Sequence, residues 1–328
     1  MGKKYVPALM LGFLLAATAM PPLAEAASSG ARKTHKSSSE SKAKSKKAVS
    51  KPKVLSRASG VRRVSAVPAD FGEAQRLAVQ SSAALVLDQG NGEVIYQKNA
   101  ASVVPIASIT KLMTAMVVLD SQPNLAAPVT IGEEDIDTLK GSRSRLSVGT
   151  VLTREHALLL ALMSSENRAA HTLARHYPGG THAFVEAMNR KARSLGMMDT
   201  RFQDPTGLTS NNVSTANDLA KMVAAAHTYP LIREFSTTSG AMVETNGRHL
   251  EYHNTNALVK SSTWDIGLSK TGFIQEAGKC LVMQARVADR PVVIVLLDSA
   301  GKMTRIGDAN RIKRWMESAS SGRRTSPA

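Results

Sequence analysis

After residue 80, the pattern of hydrophobic and polar positions predicts a series of short secondary-structure elements. Residues 82–88 and 93–96 are strand-like apolar runs, and Gln89-Gly90-Asn91-Gly92 between them is a turn signal. We therefore predict a β-hairpin at this position. The next element is a helix over residues 108–119, where the apolar spacing changes to that of a helix.

The remaining pattern is first helical and then strand-like. Between about residues 125 and 235, apolar positions recur at helical spacing over 152–163 and 216–226. Strand-like runs follow at residues 269–273, 279–288 and 291–298. A last helix is predicted over 303–316, with an apolar face formed by Ile306, Ala309, Ile312 and Trp315.

This order of elements predicts an α+β fold. The first hairpin and the three late strands are expected to join one antiparallel sheet, and the middle block to form a mostly helical lobe with a cleft between the two. The last helix is expected to pack on the sheet. A membrane-surface role for it is the weaker alternative, because Asp308 and Asn310 dilute its basic face.

The N-terminus has the pattern of a cleaved export signal. Lys3 and Lys4 precede an apolar run over 6–20, and Pro21 follows it. That run of roughly 15 residues is shorter than the roughly 20 that a spanning helix needs, so a retained anchor is the weaker alternative. Residues 1–26 are interpreted as a signal peptide cleaved after Ala26, which implies a periplasmic location and no transmembrane segment in the mature chain.

Charge is concentrated behind this signal. The chain has a net charge of +16, and residues 27–67 contain twelve Lys and Arg against one Glu. Residues 27–70 are interpreted as a disordered basic linker, because they have too few large apolar residues to form a core. The linker acts as a tether or binds an anionic polymer such as the cell wall; nucleic acid is excluded as a partner for an exported protein. Residues 71–317 are predicted to be the catalytic domain and 318–328 a flexible tail.

Several other candidate sites are weak. Cys280 is the single cysteine, so no internal disulfide forms, and its apolar surroundings indicate a core strand rather than a nucleophile. His171 and His176 are five apart rather than four. His249 and His253 are four apart but lack the glutamate of a zinc-peptidase motif. We predict no metal and no cofactor.

Three short motifs carry the candidate chemistry: Ser108-Ile109-Thr110-Lys111, Ser165-Glu166-Asn167 and Lys270-Thr271-Gly272. Each alone is weak because its residues are common. A serine hydroxyl needs an adjacent base to act as a nucleophile, and residues three apart share a helix face, so Lys111 can activate Ser108. A dry cleft with a second cation, Lys270, is expected to lower the lysine pKa from about 10.4.

The other motif residues suit substrate binding and proton transfer. Ser165 is expected to relay a proton between Lys111 and the leaving amine, and Asn167 to hold a substrate amide. Lys270 is expected to bind a substrate carboxylate as a point charge, with an added hydrogen bond from Thr271. Gly272 lets a substrate backbone lie close to the strand edge. Backbone N–H groups would form an oxyanion hole.

In this order the motifs match the S-x-x-K, S-x-N and K-T-G elements of penicillin-binding proteins and serine β-lactamases. Over roughly residues 78–317 the chain resembles the low-molecular-mass penicillin-binding proteins, the D-alanyl-D-alanine carboxypeptidase and endopeptidase family. Further matching segments are Leu195-Gly196-Met197, Asp204-Pro205-Thr206-Gly207-Leu208 and Ser214-Thr215-Ala216. The segments 164–170 and 269–274 are similar to those of the penicillin-binding protein 7 type, an endopeptidase.

This resemblance implies specific roles. Ser108 would form the acyl-enzyme, Lys111 would accept its proton, Ser165 would assist proton transfer and Lys270 would bind carboxylate. The N–H groups of Ser108 and Phe273 would form the oxyanion hole. The implied fold is that of the serine β-lactamases and DD-peptidases, and the implied partners are peptidoglycan stem peptides, with β-lactams as covalent inhibitors.

Two departures narrow the function. Glu166 stands where class A β-lactamases usually have Asp, and residues 195–208 hold no Glu-x-x-x-Asn deacylation element, which argues against an efficient β-lactamase. The chain after Gly272 is too short for an added β-rich domain and an amphipathic anchor. We expect cleavage of D-alanyl-meso-diaminopimelate cross-links. The alternatives are a D-alanyl-D-alanine carboxypeptidase, a β-lactamase or a non-catalytic wall-binding protein.

Overall fold

The computed structural model describes residues 77–301 and 303–324. The predicted signal peptide, residues 1–26, and the predicted linker, residues 27–70, lie outside this part of the chain. Among the residues described, no helix combines the length and apolar character that crossing a membrane requires.

The described residues contain eleven β-strands. In chain order they are β1 (Ala83–Asp88), β2 (Val94–Lys98), β3 (Val104–Pro105), β4 (Pro128–Thr130), β5 (Val151–Thr153), β6 (Val213–Ser214), β7 (Gly240–Thr245), β8 (Arg248–His253), β9 (Asp265–Ile274), β10 (Gly278–Val287) and β11 (Arg290–Ser299).

The helices occupy the middle of the chain and its last described segment. They are α1 (Thr110–Asp120), α2 (Arg154–Met163), α3 (Asn167–Arg175), α4 (Gly180–Ser194), α5 (Ala216–Ala226), α6 (Pro230–Thr237) and α7 (Thr304–Arg324). The predicted α+β class is confirmed, with a mostly helical block between the strands.

The main sheet contains the first hairpin and the three late strands, as predicted. Its strand order is β2-β1-β11-β10-β9, and every pairing is antiparallel. Side chains alternate along β11, so Val293 and Val295 enter the core shared with the helical block, while Val292 and Ile294 face the core that includes α7. Burial on both faces explains why this strand is apolar throughout. Strand β9 is at the edge of the sheet and faces the cleft.

The last helix is longer than predicted. It continues to Arg324, past the expected end near Met316, so residues 318–324 of the predicted flexible tail are helical. Ser318 Oγ donates to the Trp315 carbonyl, and Ser321 Oγ donates to that of Glu317. These bonds run back to carbonyls three and four residues earlier, a pattern that serine side chains make within helices.

One hairpin was missed in the sequence. Strands β7 and β8 pair around Asn246 and Gly247, whose φ values are 50° and 72°. Positive φ at both central residues is typical of a type I′ turn, and Asn-Gly is its strongest sequence signal. The turn signal was therefore present in the sequence. The strands on either side of it were not predicted, because they contain many polar residues.

Candidate active site

Ser108 lies in a tight turn at the start of α1. The 3₁₀ turn Ala107–Ile109 leads directly into Thr110, the first residue of the helix. Ala107 has a φ of 47°, in the left-handed region that residues with a Cβ rarely adopt. Ala107 and Ile109 are fully buried, so packing holds the turn in this conformation. Ser108 itself is half-buried.

Lys111 contacts the Ser108 hydroxyl from one helical turn further on. Its Nζ lies 2.8 Å from Ser108 Oγ, 2.7 Å from Asn167 Oδ1 and 2.7 Å from the backbone oxygen of Thr206. These acceptors take all three N–H donors of a lysine ammonium group. The side chain is fully buried. The amine is thus fixed in position against the hydroxyl, as the Ser-x-x-Lys spacing predicted.

Burial lowers the pKa of Lys111 to about 7, and the Asp204 and Glu166 carboxylates partly oppose this effect. We expected the Lys270 cation to contribute to the lowering. Burial is the main cause at Lys111, and the repulsion between the two cations also lowers the pKa of Lys270. The Lys111 amine is available as a base near neutral pH.

Lys270 lies on β9, on the other wall of the cleft, and is almost fully buried. Its Nζ donates to Ser165 Oγ at 2.9 Å and to the backbone oxygen of Thr271 at 3.0 Å. Burial and the Lys111 and Arg305 cations lower the pKa of Lys270 well below its usual range. Two buried amines that repel each other as cations favour the loss of one proton from the pair.

Ser165 has an unusual backbone conformation and a hydrogen bond to Lys270. It follows the buried helix α2, as predicted, and its φ of 63° is unusual for a residue other than glycine. The expected relay joined Ser165 to Lys111. In the structure the Ser165 hydroxyl accepts from Lys270 Nζ, whereas the donors of Lys111 go to Ser108, Asn167 and Thr206. The relay role of Ser165 stays a prediction.

Asn167 begins α3 and is bonded at both ends of its amide. Its Oδ1 accepts from Lys111 Nζ, and its Nδ2 donates to Ser142 Oγ at 3.0 Å. In the structure Asn167 positions Lys111, and its expected contact with a substrate amide stays a prediction. The neighbouring Glu166 accepts a hydrogen bond from Ser144 Oγ at 2.8 Å, so the loop around residues 142–144 supports this wall of the cleft.

Strand β9 lies close to the nucleophile turn. A Cβ on Gly272 would be 2.9 Å from the Ile106 backbone oxygen and 3.2 Å from the Ser108 nitrogen, so glycine permits this approach. Thr271, one residue earlier, donates from its hydroxyl to Thr255 Oγ1 at 2.6 Å. Phe273, one residue later, has its side chain 57% exposed. The structure therefore brings all the residues of the three motifs to one cleft.

A loop outside the predicted site residues supports Lys111. Asp204 Oδ1 accepts from the backbone N–H of Thr206 at 2.7 Å and from that of Gly207, and this turn presents the Thr206 carbonyl to Lys111. Gly207 has a φ of 84°, and a Cβ there would be 1.9 Å from the Ala107 oxygen. The Asp-Pro-Thr-Gly sequence is a turn signal, although its role depends on this long-range contact.

Arg305 from α7 also was not predicted. Its Nη1 donates to the backbone oxygen of Gly272 at 3.0 Å and to that of Cys280 at 3.1 Å. The Gly272 oxygen belongs to the peptide unit whose nitrogen is that of Phe273. Arg305 therefore fixes this part of β9.

The weaker candidates have structural roles. Cys280 is buried in β10, and burial raises the pKa of its thiol to about 11, which makes it unreactive. His171 Nδ1 lies 2.7 Å from Asp135 Oδ1, and Arg175 contacts the same carboxylate. Across residues 77–301 and 303–324, no three His, Cys, Asp or Glu side chains group in a way that could hold a metal ion.

Comparison with known proteins finds relatives that act on D-alanyl peptides, as their names state. The chain is 52% identical over 241 residues to a D-alanyl-D-alanine endopeptidase of Pseudomonas aeruginosa, which covers 72% of this chain and 77% of the relative. It is 48% identical over 241 residues to a D-alanyl-D-alanine endopeptidase of Escherichia coli, covering 73% and 78%. Among solved structures, the Streptomyces K15 DD-transpeptidase matches with a TM-score of 0.68 and 29% identity, covering 74% of this chain and 98% of that one.

The match to a family model extends over the part of the chain that contains the three motifs. The family model described as D-alanyl-D-alanine carboxypeptidase matches residues 70–301, which is more than half of the chain. The solved neighbour has the same arrangement of sheet and helices. The chain therefore belongs to the D-alanyl-D-alanine carboxypeptidase family of serine peptidases.

Proposed function

We propose that this protein is a serine DD-endopeptidase that cleaves D-alanyl cross-links in peptidoglycan through an acyl-enzyme on Ser108. The observation that carries the proposal is the contact of 2.8 Å between Ser108 Oγ and the amine of the buried Lys111. A lysine with a pKa of about 7 can take the hydroxyl proton at neutral pH. The identity to two endopeptidases supports cross-links as the substrate.

In the acylation step, the neutral amine of Lys111 accepts the proton from Ser108 as Oγ attacks the D-alanyl carbonyl carbon. The carbonyl oxygen gains negative charge and is stabilised by the backbone N–H groups of Ser108 and Phe273. The close approach of Gly272 to the Ser108 nitrogen supports this assignment. Asn167 and Thr206 keep the Lys111 amine aligned during the transfer.

Collapse of this intermediate breaks the peptide bond and releases an amine, which must receive a proton. We assign that transfer to Ser165, with Lys270 as the group that replaces the proton, because the Ser165 hydroxyl contacts Lys270. A substrate carboxylate beside Lys270 would favour its charged form. Thr271 would add a hydrogen bond to the same carboxylate. Exchange with solvent then returns Lys111 to its neutral form and restores the proton of Lys270. Water attacks the ester carbonyl carbon while Lys111 accepts a proton from that water, and Lys111 returns the proton to Ser108 Oγ as the ester bond breaks.

The location of the enzyme is part of the proposal. Residues 1–26 would direct export to the periplasm and be removed, residues 27–70 would tether the catalytic domain, and the basic stretch 27–67 would contact the anionic cell wall. The catalytic domain would begin near residue 71. β-Lactams would acylate Ser108 because they present a reactive amide and a carboxylate to the same groups.

A second candidate function is removal of a terminal D-alanine. The family description itself names carboxypeptidases, and the chemistry at Ser108 is the same for either bond. The two functions differ only in what is attached to the leaving nitrogen. Cross-linked and uncross-linked substrates therefore separate them.

The test uses labelled penicillin and defined muropeptides. Wild-type protein is expected to retain label on the peptide that contains Ser108, to convert cross-linked dimers to monomers, and to lose both properties in Ser108→Ala. Rapid turnover of the drug would indicate a β-lactamase. Release of D-alanine from pentapeptides without dimer cleavage would indicate a carboxypeptidase. Absence of label with retained binding to sacculi would indicate a wall-binding protein.

A further inference from the structure

An ion pair joins the two walls of the cleft near its opening. Lys140 belongs to the loop of residues 137–146 on the helical side, and Glu276 lies in the turn between β9 and β10. Their Nζ and Oε1 atoms are 2.5 Å apart, and the side chains are 33% and 43% exposed. Glu276 is three residues beyond Phe273 along the chain. Sequence reasoning gave no role to either residue.

The loop that carries Lys140 is attached to the catalytic contacts. Asp137 accepts hydrogen bonds from the backbone N–H groups of Leu139, Lys140 and Ser142 at 2.9, 3.0 and 2.8 Å. Ser142 Oγ in turn accepts from Asn167 Nδ2. The position of Lys140 is thus connected through two short steps to the residue that holds the Lys111 amine.

The ion pair completes a closed circuit around the cleft. One side of the circuit is the loop backbone from Lys140 to Ser142, followed by side-chain contacts from Ser142 to Ser108. The other side is the β9 backbone, which lies against the Ser108 turn at Gly272. The members in order are Lys140, Ser142, Asn167, Lys111, Ser108, Gly272, Phe273 and Glu276. A chain bound along the free edge of β9 beyond Phe273 must pass through this circuit.

A closed circuit affects the two kinds of D-alanyl substrate differently. A stem peptide with a free D-alanine end can be threaded through it, because nothing bulky follows the scissile bond. A cross-link has polymer attached on both sides of that bond, so it cannot be threaded. For a cross-link to reach Ser108 the circuit must open. The Lys140–Glu276 ion pair is the link at which it can open, because this contact is neither covalent nor buried. Partly exposed ion pairs add little net stability, so opening is inexpensive.

We propose that the Lys140–Glu276 pair is a gate that must open for cross-linked peptidoglycan to enter the cleft, while small ligands and free peptide ends reach Ser108 with the gate closed. This inference rests on the proposed endopeptidase function and adds a specificity-determining pair to it. The gate would bind no substrate atom in the reaction. Its effect would be confined to substrates attached to polymer on both sides.

The test closes the gate covalently. The double variant Lys140→Cys with Glu276→Cys is treated with a short bis-methanethiosulfonate reagent, and dithiothreitol removes the link. Cys280 is fully buried and is spared by the reagent. A matched control places the same link between Glu186→Cys and Arg190→Cys, an exposed ion pair with 3.7 Å between charged atoms on α4. Acylation by labelled penicillin and loss of cross-links from intact sacculi are measured for each protein.

The linked gate variant is expected to be acylated by penicillin at the rate of its unlinked form, but to lose sacculus cleavage to the level of Ser108→Ala. Dithiothreitol should restore cleavage, and the linked control should cleave normally. Undiminished cleavage by the linked gate variant overturns the gate, and so does a parallel loss of penicillin acylation. A wild-type protein that binds penicillin but leaves sacculi intact overturns the endopeptidase function itself, and the gate inference with it.

Discussion

The two buried lysines of the cleft differ in what surrounds them. Lys111, on the helix wall, has all three donors engaged by Ser108, Asn167 and Thr206, and the carboxylates that influence it favour its charged form. Lys270, on the strand wall, contacts Ser165, and the groups that influence it are cations. The same residue type thus has two environments, one suited to a base beside the nucleophile and one suited to receiving an anion.

This difference predicts separate phenotypes, of which the largest is for Lys111. Replacement Lys111→Met keeps the volume but removes the base, and should slow acylation of Ser108 by roughly 10²- to 10⁴-fold, the usual contribution of a general base. Penicillin and its methyl ester should be affected equally, because the ester lacks only the carboxylate. The rate of label uptake measures both. Lys221→Met, at an exposed site on α5, is the control, and normal acylation by Lys111→Met would contradict the assignment.

Lys270→Gln should have the next largest effect, and the effect should be larger with ligands that carry a carboxylate. Loss of one charge-assisted hydrogen bond corresponds to about 1.5–3 kcal/mol, or about 10- to 100-fold in the rate constant for acylation by penicillin. The methyl ester should be much less affected, and Lys270→Arg should recover part of the rate. Equal losses for acid and ester would show that Lys270 acts only through Ser165 and does not bind the carboxylate.

The pH dependence of acylation should follow Lys111. Because its pKa is lowered to about 7, the amine is protonated below that pH and free above it, so the rate constant should rise as pH increases through about 7. Glu166 favours the protonated amine, so Glu166→Gln should move the rise to lower pH. Stopped-flow acylation at constant ionic strength measures the profile. A rate that is flat across neutral pH would exclude Lys111 as the titrating base.

The smallest predicted effect concerns the support of the helix wall. Ser142→Ala removes the acceptor for Asn167 Nδ2, a neutral hydrogen bond worth about 0.5–1.5 kcal/mol, so acylation should slow by about 2- to 10-fold. Ser194→Ala, which removes an exposed hydroxyl bonded to the Lys191 carbonyl on α4, is the matched control. If the two variants behave alike, Asn167 holds Lys111 without help from Ser142.

Most of the main sheet was predictable because its pattern is local. Strands β10 and β11 are apolar on both faces, and the first hairpin has a turn signal between its strands. The hairpin of β7 and β8 was missed since its residues are largely exposed, so burial imposes little pattern on them. The end of α7 was predicted too early in the chain. The hydroxyls of Ser318 and Ser321 bond to carbonyls within the helix, so these polar residues do not end it.

The sequence was sufficient to predict which residues form the candidate site, but not all the contacts that they make with one another. The motif spacing identified Ser108, Lys111 and Lys270 correctly as neighbours in one cleft. The contact of Ser165 with Lys270 was not predicted, because it depends on which groups become buried together. The Lys140–Glu276 contact joins residues 136 apart, and no local pattern in the chain indicates it.

The central claim, acyl transfer to Ser108 from a cross-linked donor peptide, is tested most directly by trapping the intermediate. Wild-type protein is mixed with cross-linked muropeptide dimers, quenched in acid within one turnover, digested and analysed by mass spectrometry. We predict the donor stem peptide as an ester on the fragment that contains Ser108, and no such adduct in Ser108→Ala. Dimer cleavage that persists in Ser108→Ala, or an adduct on another residue, would contradict the mechanism.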